Sequence, residues 1–112
     1  MTARPMAGTL VVGGGLAGPA AAIWLARAGA PVTLWDRERT PAHKICGEFL
    51  SWEAQAWLAD LGIDLAALGA VSIDRVRLVT ARRSAVGRLG FTARSVTRRA
   101  LDAAMLDAAA AA

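Results

Sequence analysis

The residues of this chain best suited to chemistry are a glycine-rich run, Gly13-Gly14-Gly15-Leu16-Ala17-Gly18, and an acid, Asp36, eighteen positions after Gly18. The apolar residues Leu10, Val11 and Val12 lead into the run, and an alanine-rich stretch follows it. A second apolar segment, Pro31 to Trp35, ends on the acid. This order of strand, glycine loop, helix, strand and acid is that of a dinucleotide-binding βαβ unit. Gly13 allows the tight turn, Gly15 lets backbone approach a pyrophosphate, and Gly18 lets the helix pack closely on the strand. Leu16 and Ala17 begin that helix, where unpaired N–H groups and the positive end of the dipole suit phosphate oxygens. Asp36 is placed to accept hydrogen bonds from both hydroxyls of an adenosine ribose and to repel a phosphate on it. The plain alternative is that the glycines only turn the chain and Asp36 ends a strand by chance. Four elements in register weigh against it.

Other reactive side chains gather in one segment, Lys44-Ile45-Cys46-Gly47-Glu48. Lys44 and the helix start that follows are able to tune the Cys46 thiol, although a small apolar residue under a loop is the commoner role. His43 and Cys46 are spaced as metal ligands, but no second pair accompanies them, so no metal site is expected. Glu48 suits either substrate positioning or helix capping. Trp52 and Trp57 are expected to pack rather than stack on a cofactor. The single histidine rules out a Ser-His-Asp arrangement, so no catalytic residue is assigned and any chemistry belongs to a cofactor.

The elements that must position these groups are legible from periodicity. Leu10 to Val12 reads as a first strand, Leu16 to Ala28 as a helix closed by Arg27 and Gly29, and Pro31 to Trp35 as a second strand. Pro19 falls in the first helical turn and is expected to cost one early hydrogen bond. Thr40 to Cys46 is a loop. Ser51 opens a second helix with Glu53 in its first turn, an apolar stripe of Ala54, Trp57, Leu58 and Leu61, and Gly62 at its end. Ile73 to Thr80 alternates as a half-exposed strand, with Val76 and Leu78 opposed to Arg75 and Arg77. Val86 to Phe91 is a weaker strand. From Ser95 a helical pattern continues to Ala112, with Leu101, Ala104, Met105 and Ala108 on a face that needs a sheet to cover.

Composition narrows the class. The uncharged run Ala7 to Ala26 after Arg4 resembles a leader or membrane span, but its central glycines and Pro19 argue against a stable apolar helix. No membrane span is expected. One cysteine in 112 residues excludes an internal disulfide framework and fits a cytoplasmic protein. Residues 1–74 hold five basic and seven acidic side chains, against eight arginines and two aspartates in residues 75–112, so the halves carry −2 and +6. A basic half raises nucleic acid as a partner. Between Arg75 and Arg99 the one aromatic is Phe91, so a stacking platform is lacking and no nucleic acid is expected.

The glycine fingerprint with Asp36-Arg37, the segment Lys44-Ile45-Cys46-Gly47-Glu48 and the later Arg98-x-x-Leu101-Asp102 together resemble the FAD-dependent oxidoreductases of the geranylgeranyl reductase and p-hydroxybenzoate hydroxylase superfamily. In the reductase-like branch the middle stretch reads K-x-C-G-E and soon reaches S-P-E-A; here Trp52 replaces the proline. The resemblance covers residues 9–108 and only the N-terminal part of such an enzyme. It implies that Gly13, Gly15 and Gly18 hold the FAD pyrophosphate, Asp36 the adenosine ribose, and that Arg37 lies near the adenine. It further implies that Lys44, Cys46, Gly47 and Glu48 pass the flavin or its ribityl chain, with Arg98 near the phosphates. The family usually carries glutamate at Asp36, so a longer ribose contact is expected here.

The expectation is therefore an α/β chain with an incomplete Rossmann-like FAD-binding βαβ core, residues 1–112 forming a partial FAD/NAD(P)-binding domain. Its function would be that of the N-terminal segment of a flavin-dependent monooxygenase or isoprenoid-type reductase. Its partners would be FAD, NAD(P)H and a small organic substrate. A non-catalytic dinucleotide-binding module or truncated remnant, and an NAD-linked dehydrogenase fragment, stay open as alternatives.

Overall fold

The computed structural model describes residues 8–112, so Arg4 and Ala7 at the head of the uncharged run lie outside the described residues. Strand β1 (Thr9–Val12), helix α1 (Ala17–Arg27) and strand β2 (Val32–Trp35) form the parallel unit, with Leu10 opposite Thr33 and Val12 opposite Trp35. Gly29, in the left-handed region at φ 81°, ends α1 and donates its N–H to the Ala26 carbonyl at 2.9 Å. Pro19 is the third residue of α1, where the N–H has no intrahelical acceptor; the first helical bond runs from Ala20 to Leu16. Contrary to expectation, it costs no hydrogen bond.

Strand β3 (Phe49–Leu50), helix α2 (Trp52–Asp60) and strands β4 (Val71–Val79) and β5 (Ser84–Ser95) follow, and helix α3 (Arg98–Ala111) closes the chain. The second sheet is antiparallel in the order β3-β5-β4. Ser51 caps α2 by accepting the Ala54 N–H at 3.3 Å. Gln55 of α2 donates to the Thr92 carbonyl at 3.0 Å and so fastens the helix to β5. Arg27 at the end of α1 donates to the Asp60 carbonyl at 2.7 Å, joining the C-terminal ends of α1 and α2.

The structure corrects several expectations. Strand β5 runs twelve residues, well beyond Val86 to Phe91, and β4 begins at Val71. Ser95 belongs to β5, paired with Phe49 and Val71, and Thr97 caps α3 through the Ala100 N–H. Strand β4 is not half-exposed: Val76 and Leu78 are both open, as no layer packs over this part of the hairpin among the described residues. Trp57 is 63% exposed, because α2 turns Leu58 inward and places Trp57 one position round the helix. The stripe on α3 needs no further sheet. Leu101 and Met105 are buried with Ile23 of α1, Leu58 of α2, and Leu61, Ile63 and Val96; Ala104 and Ala108 pack against that cluster.

Candidate functional site: the glycine loop and its acid

Three glycines of the loop differ in what surrounds them. Gly13 has φ 114°, a conformation that L side chains avoid, and its N–H donates to the Trp35 carbonyl at 2.7 Å. The loop is thereby tied to the end of β2. A Cβ on Gly18 would collide with the Gly13 carbonyl oxygen and lie 3.5 Å from Val11 Cγ1, so α1 approaches β1 as closely as backbone allows. Gly15 has no atom within 4 Å of where its Cβ would stand. The three observations match, in turn, a turn-former, a packing residue and an open approach.

Leu16 occupies the cap position of α1 and offers no side-chain acceptor, and the first turn holds no acid. The amides at Leu16, Ala17 and Gly18 therefore have no side-chain partner of the kind that Ser51 and Thr97 give to α2 and α3. Beside them Val12, Gly13, Trp35, Asp36 and Arg37 line an open cleft of about 470 Å³. Asp36 has no ion-pair partner among the described residues; Arg37 instead meets Glu38 at 3.5 Å on the surface. A larger groove, about 690 Å³ between α1, β2 and α3, is lined by residues such as Ala22, Val32 and Leu106 and presents no ionisable side chain.

The remaining residues expected at the site form a second group, and none of them lines the cleft. Lys44, Cys46 and Gly47 lie exposed on the loop before β3, while Glu48 is half-buried at φ 56°. The Glu48 N–H donates to Cys46 Sγ at 3.3 Å, and its carbonyl accepts the Val96 N–H at 3.3 Å, which brings this loop to the start of α3. There Arg98 grips Asp102 with two bonds, Nε to Oδ1 at 2.8 Å and Nη2 to Oδ2 at 3.1 Å. Asp102 holds the guanidinium above its ordinary pKa, burial works against this, and Cys46 adds to the rise. Among the described residues no three potential ligands are grouped to hold a metal, and no helix is long and apolar enough to cross a membrane.

Two residues with defined places here had no assigned role in the sequence. Asp102, only 2% exposed, is one; its signal was the i, i+4 spacing from Arg98. Gly14 is the other. A Cβ there would stand 2.9 Å from both Cβ and Cγ of Asp36.

Residues 11–71 match the model of a family described as an NAD(P)-binding Rossmann-like domain. Over 87 residues the chain is 40% identical to a menaquinone reductase of Mycobacterium tuberculosis, covering 78% of this chain and 20% of that protein. Among solved structures, a flavoprotein/dehydrogenase from Cytophaga hutchinsonii superposes with a TM-score of 0.77 at 23% identity, over 93% of this chain and 28% of the other. A 2-methyl-3-hydroxypyridine-5-carboxylic acid oxygenase superposes at 0.73 with 28% identity, over 91% and 28%. The chain thus spans about a fifth of the length of the menaquinone reductase it matches.

Proposed function

The chain belongs to the NAD(P)-binding Rossmann-like domain family, and from that premise we propose that residues 1–112 are part of the FAD-binding domain of a flavin-dependent oxidoreductase. The observation that carries this is a helix start without a side-chain cap, following a glycine loop whose Gly13 lines one open cleft with Asp36, an acid with no ion-pair partner among the described residues. The arrangement fits a dinucleotide: the space above Gly15 admits a pyrophosphate, the amides of Leu16, Ala17 and Gly18 receive its oxygens, and Asp36 takes the ribose hydroxyls. Arg37 flanks the adenine end of the cleft. The Lys44 to Glu48 loop, tied by the Glu48 carbonyl to the Val96 N–H just before α3, serves the flavin end, and Arg98, held by Asp102, serves the phosphates. Once bound, FAD supplies the hydride and oxygen chemistry that no side chain here provides.

For the whole enzyme we favour reduction of an isoprenoid-type double bond in a substrate of the menaquinone class with NAD(P)H as donor, supported by the 40% identity to a menaquinone reductase. Hydroxylation of a small organic substrate is the alternative, and its support is the 28% identity to an oxygenase. Calorimetric titration of the purified chain with FAD, NAD and NADP tests the cofactor. FAD is expected to bind measurably and NADP most weakly. Tighter binding of NADP than FAD would overturn the role of Asp36, and no binding of any of the three would overturn the nucleotide site.

A further inference from the structure

We propose that the outer part of the β4–β5 hairpin docks on an anionic lipid surface, with one face of the ribbon against the acyl boundary and its arginines reaching the headgroup phosphates. Strand β3 pairs only with Arg94 and Ser95, and the register of β4 on β5 shifts between Ile73 and Arg75. Beyond that shift five residue pairs, from Arg75 with Arg88 to Val79 with Ser84, form a ribbon two strands wide. Directly opposed residues share a face, and the faces alternate along each strand. One face therefore carries Val76, Leu78, Ala85 and Gly87, and no charge. The other carries Arg75, Arg77 and Arg88 beside Val79 and Val86. Arg82 and Arg83 stand exposed at the tip, where Thr80 closes the turn by donating its N–H to the Arg83 carbonyl at 2.8 Å and accepting the Arg83 N–H on Oγ1 at 3.1 Å.

Two features of this ribbon call for a partner that is apolar and negative at once. Val76 and Leu78 are 42% and 68% exposed, and a two-stranded ribbon is marginal in water until a face is covered. Residues 75–88 hold five arginines and no acid, and Arg75 lies directly opposite Arg88, a like pair that costs stability in a sheet. The flanking acid, Asp74, meets Arg75 at 3.8 Å with both side chains mostly exposed, and leaves the other four unanswered. A protein layer over the apolar face does nothing for them. Nucleic acid answers the arginines but not the apolar face, and residues 75–88 offer no aromatic on which a base could stack. An anionic bilayer meets both: Val76 and Leu78 enter the acyl boundary, and the long arginine stems bend round the edges of so narrow a ribbon to the phosphates. The docking site stands apart from the nucleotide reading. Where that reading holds, the ribbon brings the enzyme to the bilayer in which an isoprenoid-tailed substrate dissolves.

The test is flotation of the full chain, without nucleotide, on phosphatidylcholine vesicles with and without about a third of phosphatidylglycerol. Aggregated protein stays at the bottom of the gradient, so self-association is not mistaken for binding. The anionic vesicles are expected to bind at least about tenfold more tightly. Arg77→Ala and Arg82→Ala are each expected to weaken that binding about fivefold, and Arg39→Ala, the same loss of charge at an exposed site outside the ribbon, by less than about twofold. Leu78→Ser is expected to weaken it about fivefold with no change of charge. All four side chains are exposed, so the circular dichroism of each variant should match the parent. Equal flotation on both vesicles, or equal losses for Arg39→Ala and Arg77→Ala, would overturn docking by this ribbon, and full flotation of Leu78→Ser would overturn the placement of the apolar face. A chain that fails to float overturns the proposal outright. If Leu78→Ser then disperses its oligomers in gel filtration, the face belongs to a second copy; if it retains an RNA oligonucleotide through Arg77, the arginines belong to nucleic acid. None of these outcomes bears on the nucleotide titration, so the two readings fail separately.

Discussion

Gly15 and Gly18 are three residues apart and carry opposite consequences if changed. Around Gly15 there is open space, so Gly15→Val is expected to abolish nucleotide binding while leaving the circular dichroism of the helices nearly unchanged. Around Gly18 there is the Gly13 carbonyl, so Gly18→Ala forces α1 off the strand and is expected to cost about 2 kcal/mol in urea denaturation before any ligand is added. Unchanged affinity for Gly15→Val would reduce the loop to a turn. At the start of α3, Asp102 is the buried partner of Arg98, and Asp102→Ala leaves a part-buried guanidinium without its partner. A loss of about 2 kcal/mol is expected, again by denaturation. A variant as stable as the parent would show that Arg98 finds another partner or reaches water.

Helix α3 is capped by Thr97, two residues later than the pattern beginning at Ser95 suggests. Thr97→Ala is accordingly expected to lose about 1 kcal/mol of stability as a missing cap. Ser95→Ala removes no such bond. The reversal would restore the helix start read from Ser95. The first three elements were legible because apolar runs, three spaced glycines and an acid all constrain the single stretch from Leu10 to Asp36. The hairpin was not, since Gly87, Gly90 and scattered arginines interrupt its alternation, and its length is set by pairing with β4 rather than by its own pattern. Trp57 misled for a related reason. Helical spacing gives a face, but which edge of that face is covered depends on the partner helix, and α1 and α3 reach only Leu58 and Leu61. In the site, the loop and Asp36 were readable as residues, whereas Gly14 was not, because its neighbour lies across the parallel register in space.

Taken whole, the described residues form a helical core against two sheets, each with one face left open. On the parallel sheet Leu10 and Val12 are 51% and 76% exposed, and Trp35, on the same face as Val12, is 63% exposed. Association of the isolated chain is expected through this face and not through α3, whose Leu101 and Met105 are enclosed. Gel filtration should show oligomers that Leu10→Lys shifts toward monomer; an unshifted profile would place the contact elsewhere. The open cleft also predicts weak FAD retention and no NAD(P)H oxidation above the free-flavin background, since few contacts offset the loss of ligand freedom. Stoichiometric yellow protein with turnover would contradict this. The uncapped start of α1 has a consequence for how long the protein lasts in a cell. Its own side chains leave those amides to be answered by an anion from outside, so nucleotide at a hundred times its dissociation constant adds about 2.7 kcal/mol to folding. With FAD as the nucleotide, as proposed, abundance is expected to follow vitamin supply: riboflavin starvation should lower the chain's level through faster proteolysis, and a pulse-chase with an unchanged half-life would overturn this.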